Sequence, residues 1–506
     1  MLRLNVRARL ILLSFVATSF ACAHETPGRQ GDGAQPDKPA ASLGMDACVS
    51  RALASNFAVK IQQFPVSEAI DSVVIAHAAF TPTFNYSGLK DVNQAAVVPG
   101  SLNLINGIPA TRSTEESSTF SIVEPIQTGA TVAANYSMAR GETKPAIDFP
   151  NPAYDNTASI TVIQPLLQGA GTDYNRAAIA SAKLGVKIAR LNFKSTVLTT
   201  IFNVETAYFN LLYAREQYKV QQDTLKLAQE LYDENIIKRQ TGVLTDLDVM
   251  QAKVGVATAR NQLILDEQQV HNNEDLLLQT LGERDFKTSV GPIVFPSADQ
   301  PDTSFDRAYK LARDNGPNLA ITEATIEQYK LIALKARRNT LPQVNLSGGI
   351  GRSSAALSDY QASFGSWTGN SWSAGVTVSV PWGMQASRAA YRQAMAGVRS
   401  EETILDQNDQ ALIVQVRSAV RAVDTNTASV QASTEETQLA EKEYELQKAE
   451  FDAGLATSYD VLQAQNSLET ARVTELQAKV ALLTAIADLR FLEGSSLQRY
   501  HVNLPE

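Results

Sequence analysis

The densest grouping of polar, chemistry-capable side chains in this chain occurs twice, 212 residues apart, as Gly242-Val-Leu-Thr245-Asp-Leu-Asp248-Val and Gly454-Leu-Ala-Thr457-Ser-Tyr-Asp460-Val. The chemistry these residues support is hydrogen bonding and charge. A glycine can adopt the left-handed conformation that ends a helix. A threonine followed three residues later by an aspartate then predicts a capping box that starts the next one. If several copies bring this bend close to a symmetry axis, the capping aspartates also form a ring of negative charge. No grouping for covalent chemistry stands out. His24, His77, His271 and His501 are too dispersed for a ligand set. Gly169-Ala-Gly171 lacks the lysine of a phosphate loop, and no Ser/His/Asp or Cys/His cluster occurs. No enzyme, metal site or cofactor is therefore expected. Of the two cysteines, Cys48 reads as a buried thiol, so no disulfide framework is implied.

The motifs sit where long helices must turn back. No proline occurs from Leu166 to Gly291 or from Trp382 to Leu504. From Gly169 to Gly242 is 73 steps and from Gly383 to Gly454 is 71, so each rod would be roughly 105 Å long as α-helix. Leu184, Ile188, Leu191, Leu198, Phe202, Phe209 and Leu212 form one apolar seam, and Val197, Ile201, Val204, Tyr208 and Leu211 a second beside it. Two adjacent seams let a helix pack on neighbours at both sides, as in a wall or tube.

Strands precede each rod. Ser371 to Val380 alternates, with Trp372, Ala374, Val376, Val378 and Val380 on one face and hydroxyls and Gly375 on the other. One apolar and one hydrated face suit a barrel wall between lipid and water, and also a half-buried strand of a soluble sandwich. Val344 to Ile350, Phe84 to Gly88 and Ile160 to Gln164 read as further strands. Pro82-x-x-Asn-x-Ser-Gly88 recurs as Pro342-x-x-Asn-x-Ser-Gly348, while Pro165 pairs with Pro381. Between these prolines the first copy has 83 positions and the second 39, an excess of 44. Within the excess, Thr119 to Glu124 and Val132 to Met138 predict a hairpin, leaving open an enlarged external loop or extra barrel strands. The fold expected is mainly α with β: a duplicated strand hairpin plus long helical hairpin.

Composition narrows the setting. The net charge of −9 gives no basic footprint for nucleic acid. Arg3, Arg7 and Arg9 precede an apolar run from Leu10 to about Phe20, the pattern of an export signal. Ala21-Cys22-Ala23 is a cleavage site that would free His24. Thr18 to Cys22 is also a loose lipobox, which makes Cys22 a candidate lipid anchor. No later apolar run reaches 18 residues, so a membrane crossing would have to be a β-barrel. The divisions expected are a signal at 1–23, a flexible linker at 24–42, a first repeat at 43–291, a connector at 292–304, a second repeat at 305–494 and a tail at 495–506.

The order of these landmarks resembles the TolC-type outer-membrane efflux channels over about Leu43 to Gly494. It includes Gln164-Pro-Leu-Leu-Gln-Gly169, Ala207-Tyr-Phe-Asn-Leu-Leu212 and both Gly-x5-Asp-Val tips. The resemblance implies a homotrimer with a twelve-stranded type of β-barrel in the outer membrane, continued by an α-helical barrel across the periplasm. A mixed α/β belt would include the joining segment near Lys287 to Asp302. It implies a passive exit duct for an inner-membrane pump, coupled through a periplasmic adaptor (membrane fusion protein) that docks on the tips around Gly242, Thr245, Gly454 and Thr457. By position, Asp460 matches an aspartate ring at the periplasmic entrance and Asp248 an aspartate of its restraining links. The chain departs from the best-known member at Gln463, where an acidic ring residue stands, at Ala456 for a restraining arginine and at Phe451 for a tyrosine. These departures predict different restraining contacts and a weaker or less cation-sensitive gate. The rival reading is a periplasmic coiled-coil adaptor or rod without a pore, which would show one helical hairpin rather than two.

Overall fold

The computed structural model describes residues 44–94, 112–144, 151–286, 290–296, 303–365 and 367–504. The export signal, the linker, Cys22 and part of the connector lie outside the described residues. Two short helices open the described chain, α1 (Met45–Ser55) and α2 (Phe57–Ala78). Four strands follow, β1 (Thr83–Gln94), β2 (Arg112–Pro125), β3 (Thr131–Lys144) and β4 (Ala153–Pro165). The first helical hairpin is α3 (Ala177–Gln240) and α4 (Asp246–Leu281). The second repeat runs α5 (Phe305–Asn315), α6 (Pro317–Arg338), β5 (Gln343–Ala356), β6 (Trp367–Ser379), α7 (Gln385–Asp452) and α8 (Ser458–Glu493). Each pre-strand helical segment is broken once. The breaks are Asn56, whose side chain caps α2, and Gly316-Pro317, where proline removes an N–H from the turn.

The six strands form one antiparallel sheet in the order β1-β2-β3-β4-β5-β6. Its registers sort every side chain to one of two faces. Phe84, Phe120, Ala134, Ile160, Ile350 and Trp372 share one face, whereas Ser121, Asn135, Ser159, Gly351 and Ser371 share the other. The apolar face is uncovered over much of its area, with Trp372 81% and Phe84 66% exposed. The polar face carries glycine and serine because it is crowded. A Cβ at Gly349 would meet Ser373 Oγ at 3.1 Å and Thr161 Cγ2 at 3.2 Å, while at Gly348 on the apolar face nothing lies nearer than 4.0 Å. Such crowding is expected on the inside of a curved sheet.

Among the described residues, the excess segment of the first repeat contributes two strands to the wall, β2 and β3. A chain contributing to a twelve-stranded trimer supplies four strands, and the described residues of this chain supply six. The fold class holds, and the strand number is corrected because β2 and β3 pair along their full lengths with each other, and over most of their lengths with β1 and β4.

Below the sheet the helices form a four-membered wall. α2 packs on α3, α3 on α6 and α6 on α7; lower down α4, α3, α8 and α7 adjoin in that order. The rods α3 and α7 have 64 and 68 residues, about 96 and 102 Å, and α4 and α8 have 36 each. The main core lies at mid-height, where Val197, Leu198, Ile201, Val204, Tyr208 and Leu211 of α3 are buried against α1, Leu277, Leu281 and the C-terminal residues. The second seam read from the sequence supplies this core together with Leu198, Phe202 and Phe209 of the first, whereas Leu184, Ile188 and Leu191 are half-buried outside it. The joining segment is held there by Tyr208, whose hydroxyl donates to Val294 O at 3.1 Å, and by Arg215, which donates to Val290 O and Gly291 O at 2.7 Å each. Described residues 290–296 make no strand, so the expected mixed α/β belt is helix and extended segment there. No helix among the described residues is long and apolar enough to cross a membrane.

Candidate functional site

Both tips fold as their residues demand. Gly242 has φ +81° and Gly454 φ +76°. Each closes its helix with a paired hydrogen-bond pattern: Val243 N to Lys238 O at 3.0 Å with Gly242 N to Arg239 O at 2.9 Å, and Leu455 N to Glu450 O at 2.8 Å with Gly454 N to Phe451 O at 3.1 Å. Thr245 and Thr457 then start α4 and α8 with complete capping boxes. Each aspartate accepts the threonine N–H at 2.8 Å and its hydroxyl at 2.6 Å. These bonds stabilise the charged form and hold Asp248 and Asp460 below the usual carboxylate range.

The two tips are also tied to each other. Asn235, fully buried, donates to Ser458 Oγ at 2.6 Å and to Asp248 O at 3.2 Å. Lys238 Nζ sits 3.6 Å above the Phe451 ring, donates to Phe451 O at 3.1 Å, and pairs with Glu234 at 2.8 Å and Asp452 at 3.5 Å. Phe451 is therefore 3% exposed, packed with Leu231 and Val461 beside Ala456. It serves as a core residue of the tip, with the Lys238 cation lying over its ring face. Gln463 is exposed on α8.

Sequence reasoning located the glycines, threonines and aspartates and missed Asn235, Lys238, Ser458 and Asp452. A signal was present: at the 212-residue offset Lys238 faces Glu450, Asn235 faces Gln447 and Ser458 faces Asp246. The residues that link the copies are those in which the copies differ. Around them the tips leave large apolar side chains uncovered, with Leu455 81%, Val243 67%, Leu247 64% and Tyr459 57% exposed. Among the described residues no group of His, Cys, Asp and Glu could hold a metal ion. Cys48 is buried, and desolvation pushes its thiol up to about 11.

A family model described as outer membrane efflux protein matches residues 131–283 and 308–495. The pyoverdine export outer membrane protein OpmQ of Pseudomonas aeruginosa is 23% identical over 326 residues, 64% of this chain and 67% of that protein. The alkaline protease secretion protein AprF of the same species is 25% identical over 369 residues, 70% of this chain and 72% of its own. The CmeC outer membrane channel of Campylobacter jejuni superposes with a TM-score of 0.66 at 17% identity, covering 91% of this chain and 90% of CmeC.

Proposed function

The chain belongs to the outer membrane efflux protein family, and from that membership we propose how its geometry works as the exit duct of a tripartite efflux or type I secretion system. It is an outer-membrane channel. The single observation that carries the reading is the sheet of six strands with one uncovered apolar face, continued by rods about 100 Å long. The apolar face meets lipid, the polar face lines water, and the rods reach across the periplasm.

The sheet is open in one chain. β1 and β6 are each hydrogen-bonded on one side only, and such edges require pairing partners. Because the strand number is even, β6 of one copy runs antiparallel to β1 of the next. A head-to-tail contact of this kind closes as a ring, and we take the ring to be a trimer. The duct conducts passively and does no chemistry of its own, so an inner-membrane pump supplies the energy. The exposed Val243, Leu247, Leu455 and Tyr459 offer an apolar docking surface for a periplasmic adaptor.

The tips form the entrance. Asn235–Ser458 and the Lys238 contacts to Phe451 and Asp452 hold the two hairpins of one chain together, and Asp248 and Asp460 supply charge beside the opening. Gly242, Thr245, Gly454 and Thr457 shape the bends that reach the adaptor. With Gln463 in place of an acidic ring residue, block by divalent cations should be weak.

Reconstitution of the purified full chain in planar bilayers tests the reading. Discrete channels from a heat-modifiable trimer are expected, with little block by millimolar divalent cations. A soluble monomer that never conducts would overturn the duct, and strong divalent block would overturn the account of the entrance alone.

A further inference from the structure

The strand pair that interrupts the first repeat changes the width of the wall. α2 packs directly on α3, yet the strands continuing them, β1 and β4, are separated by β2 and β3. Three strand spacings amount to about 14 Å, against 8–10 Å between packed helices. Along this part of the wall the step from the α2–α3 pair to the β1–β4 span is therefore a local widening.

The inserted hairpin is built into the wall at every level. β2 and β3 pair over fourteen positions without a bulge, and β2 pairs with β1 over twelve. At the helix end, the β2–β3 turn is bound to the β4–α3 junction. Gly171 N donates to Thr128 O at 3.0 Å, Thr128 Oγ1 donates to Gln164 at 3.2 Å, and a Cβ at Gly129 would collide with Gly169 O. At the far end, charges alternate across three strands: Lys90 to Glu116 at 2.7 Å, Arg140 to Glu116 at 3.5 Å and Arg140 to Glu142 at 3.0 Å. Its two faces continue those of the neighbouring strands, with Phe120, Ile122, Ala134 and Tyr136 on the apolar side and Thr119 bonded to Ser137 at 3.1 Å on the polar side.

We infer that three copies close an eighteen-stranded barrel, and that its wide polar lumen passes cargo of polypeptide size rather than sieving small molecules. The inference rests on the trimeric duct proposed above. At a tilt of about 40° and a spacing of about 4.8 Å, eighteen strands give a circumference of about 110 Å. Twelve helices at 8–10 Å give about 96–120 Å, so the barrel continues the helical tube without narrowing it. Barrels of 16–18 strands leave an aqueous channel. Among the described residues of β3 to β6, the polar face carries mainly serine, threonine, glycine, alanine and asparagine, with Asp155, Ile163 and Gln343 among its few larger side chains. Passage is then limited at the periplasmic tips.

Two measurements on the full chain in planar bilayers test this. Neutral polyethylene glycols added from the external side should enter the bore up to a radius about half again that admitted by a variant lacking Arg112–Lys144, in which β1 can pair with β4. An equal size limit in both proteins would overturn the inference. Should the shortened variant fail to assemble, Ser137→Cys in the full chain decides the matter. A charged, membrane-impermeant thiol reagent should lower its conductance and leave the parent unchanged, whereas no effect on Ser137→Cys would place the hairpin outside the lumen. Absence of any channel from the parent protein would count against the duct itself; a normal channel with an unaffected bore would count only against the widened barrel.

Discussion

At the scale of single residues, the tip separates into a bend and a tie. The bend is local and repeated. Thr245→Ala should cost about 1 kcal/mol of local helix stability, read as faster amide exchange at the start of α4 with the rest of the chain unchanged. Asp248 adds a pH dependence of known sign. Its folded pKa lies below the ordinary 3.8 because the Thr245 hydroxyl and N–H bond its charged form. The cap's contribution is thus complete above about pH 4 and is lost as pH falls through that lower value. The same exchange measurement between pH 5 and 2.5 checks this, and protection independent of pH would refute it. The tie depends on Lys238, whose side chain is 22% exposed and whose charge-assisted bonds each contribute about 1.5–3 kcal/mol when shielded. Lys238→Ala is expected to raise the resting conductance of the reconstituted channel several-fold while leaving its thermal midpoint within a few degrees. A resting conductance equal to that of the parent would remove Lys238 from the closed-state contacts.

At the scale of elements, the mid-height core fixes how the rods sit. Glu205 of α3 is 3% exposed and accepts the Tyr500 hydroxyl at 2.6 Å, so the C-terminal residues are fastened onto the rod by a buried carboxyl. Burial raises the pKa of Glu205 above its usual value despite the Tyr500 bond and the positive charge of Arg490 and Arg499. A raised folded pKa means that stability is greatest below the ordinary 4.5 and declines as pH rises through the raised value. Glu205→Gln retains an acceptor for Tyr500 and removes the charge. Its thermal midpoint should exceed that of the parent at pH 7, with the difference vanishing near pH 4. A variant less stable than the parent at pH 7 would show that the ionised form is the one the core requires. The strand elements obey the same logic of environment: alternation marked their faces in the sequence, and crowding at Gly349 and Gly351 explains why those positions of the polar face carry no side chain.

For the whole molecule, the matched lengths of the hairpins matter more than any one contact. α4 and α8 have 36 residues each, so both bends arrive at the same depth and Asn235 can meet Ser458. Removing seven residues from each arm of the first hairpin alone shifts its tip by about 10 Å and should leave a leaky channel. Removing seven from every arm of both hairpins should restore closure, although the duct is then shorter. Equal leakage from the two deletions would show that depth matching plays no part. Much of this architecture was legible beforehand. The rods, bends, caps and second core seam follow from spacing within a few turns of helix. The breaks at Asn56 and Gly316-Pro317 were not anticipated, although the second carries an evident Gly-Pro signal. Lys238, Asn235 and Ser458 were not recognised because their partners lie more than 200 residues away.

The sequence by itself determined that this is a duplicated chain of strand hairpins and very long helices, with polar bends at matched depth. Those features depend on backbone preference, side-chain period and capping, all of which act between near neighbours. Only the tertiary structure decided that the described part of the excess segment is wall rather than loop, that Phe451 lies beneath a lysine in the tip core, and that the two hairpins are joined by residues the repeats do not share. Strand neighbours and contacts between rods are set by which surfaces bury each other across the chain, and no spacing along it encodes that choice.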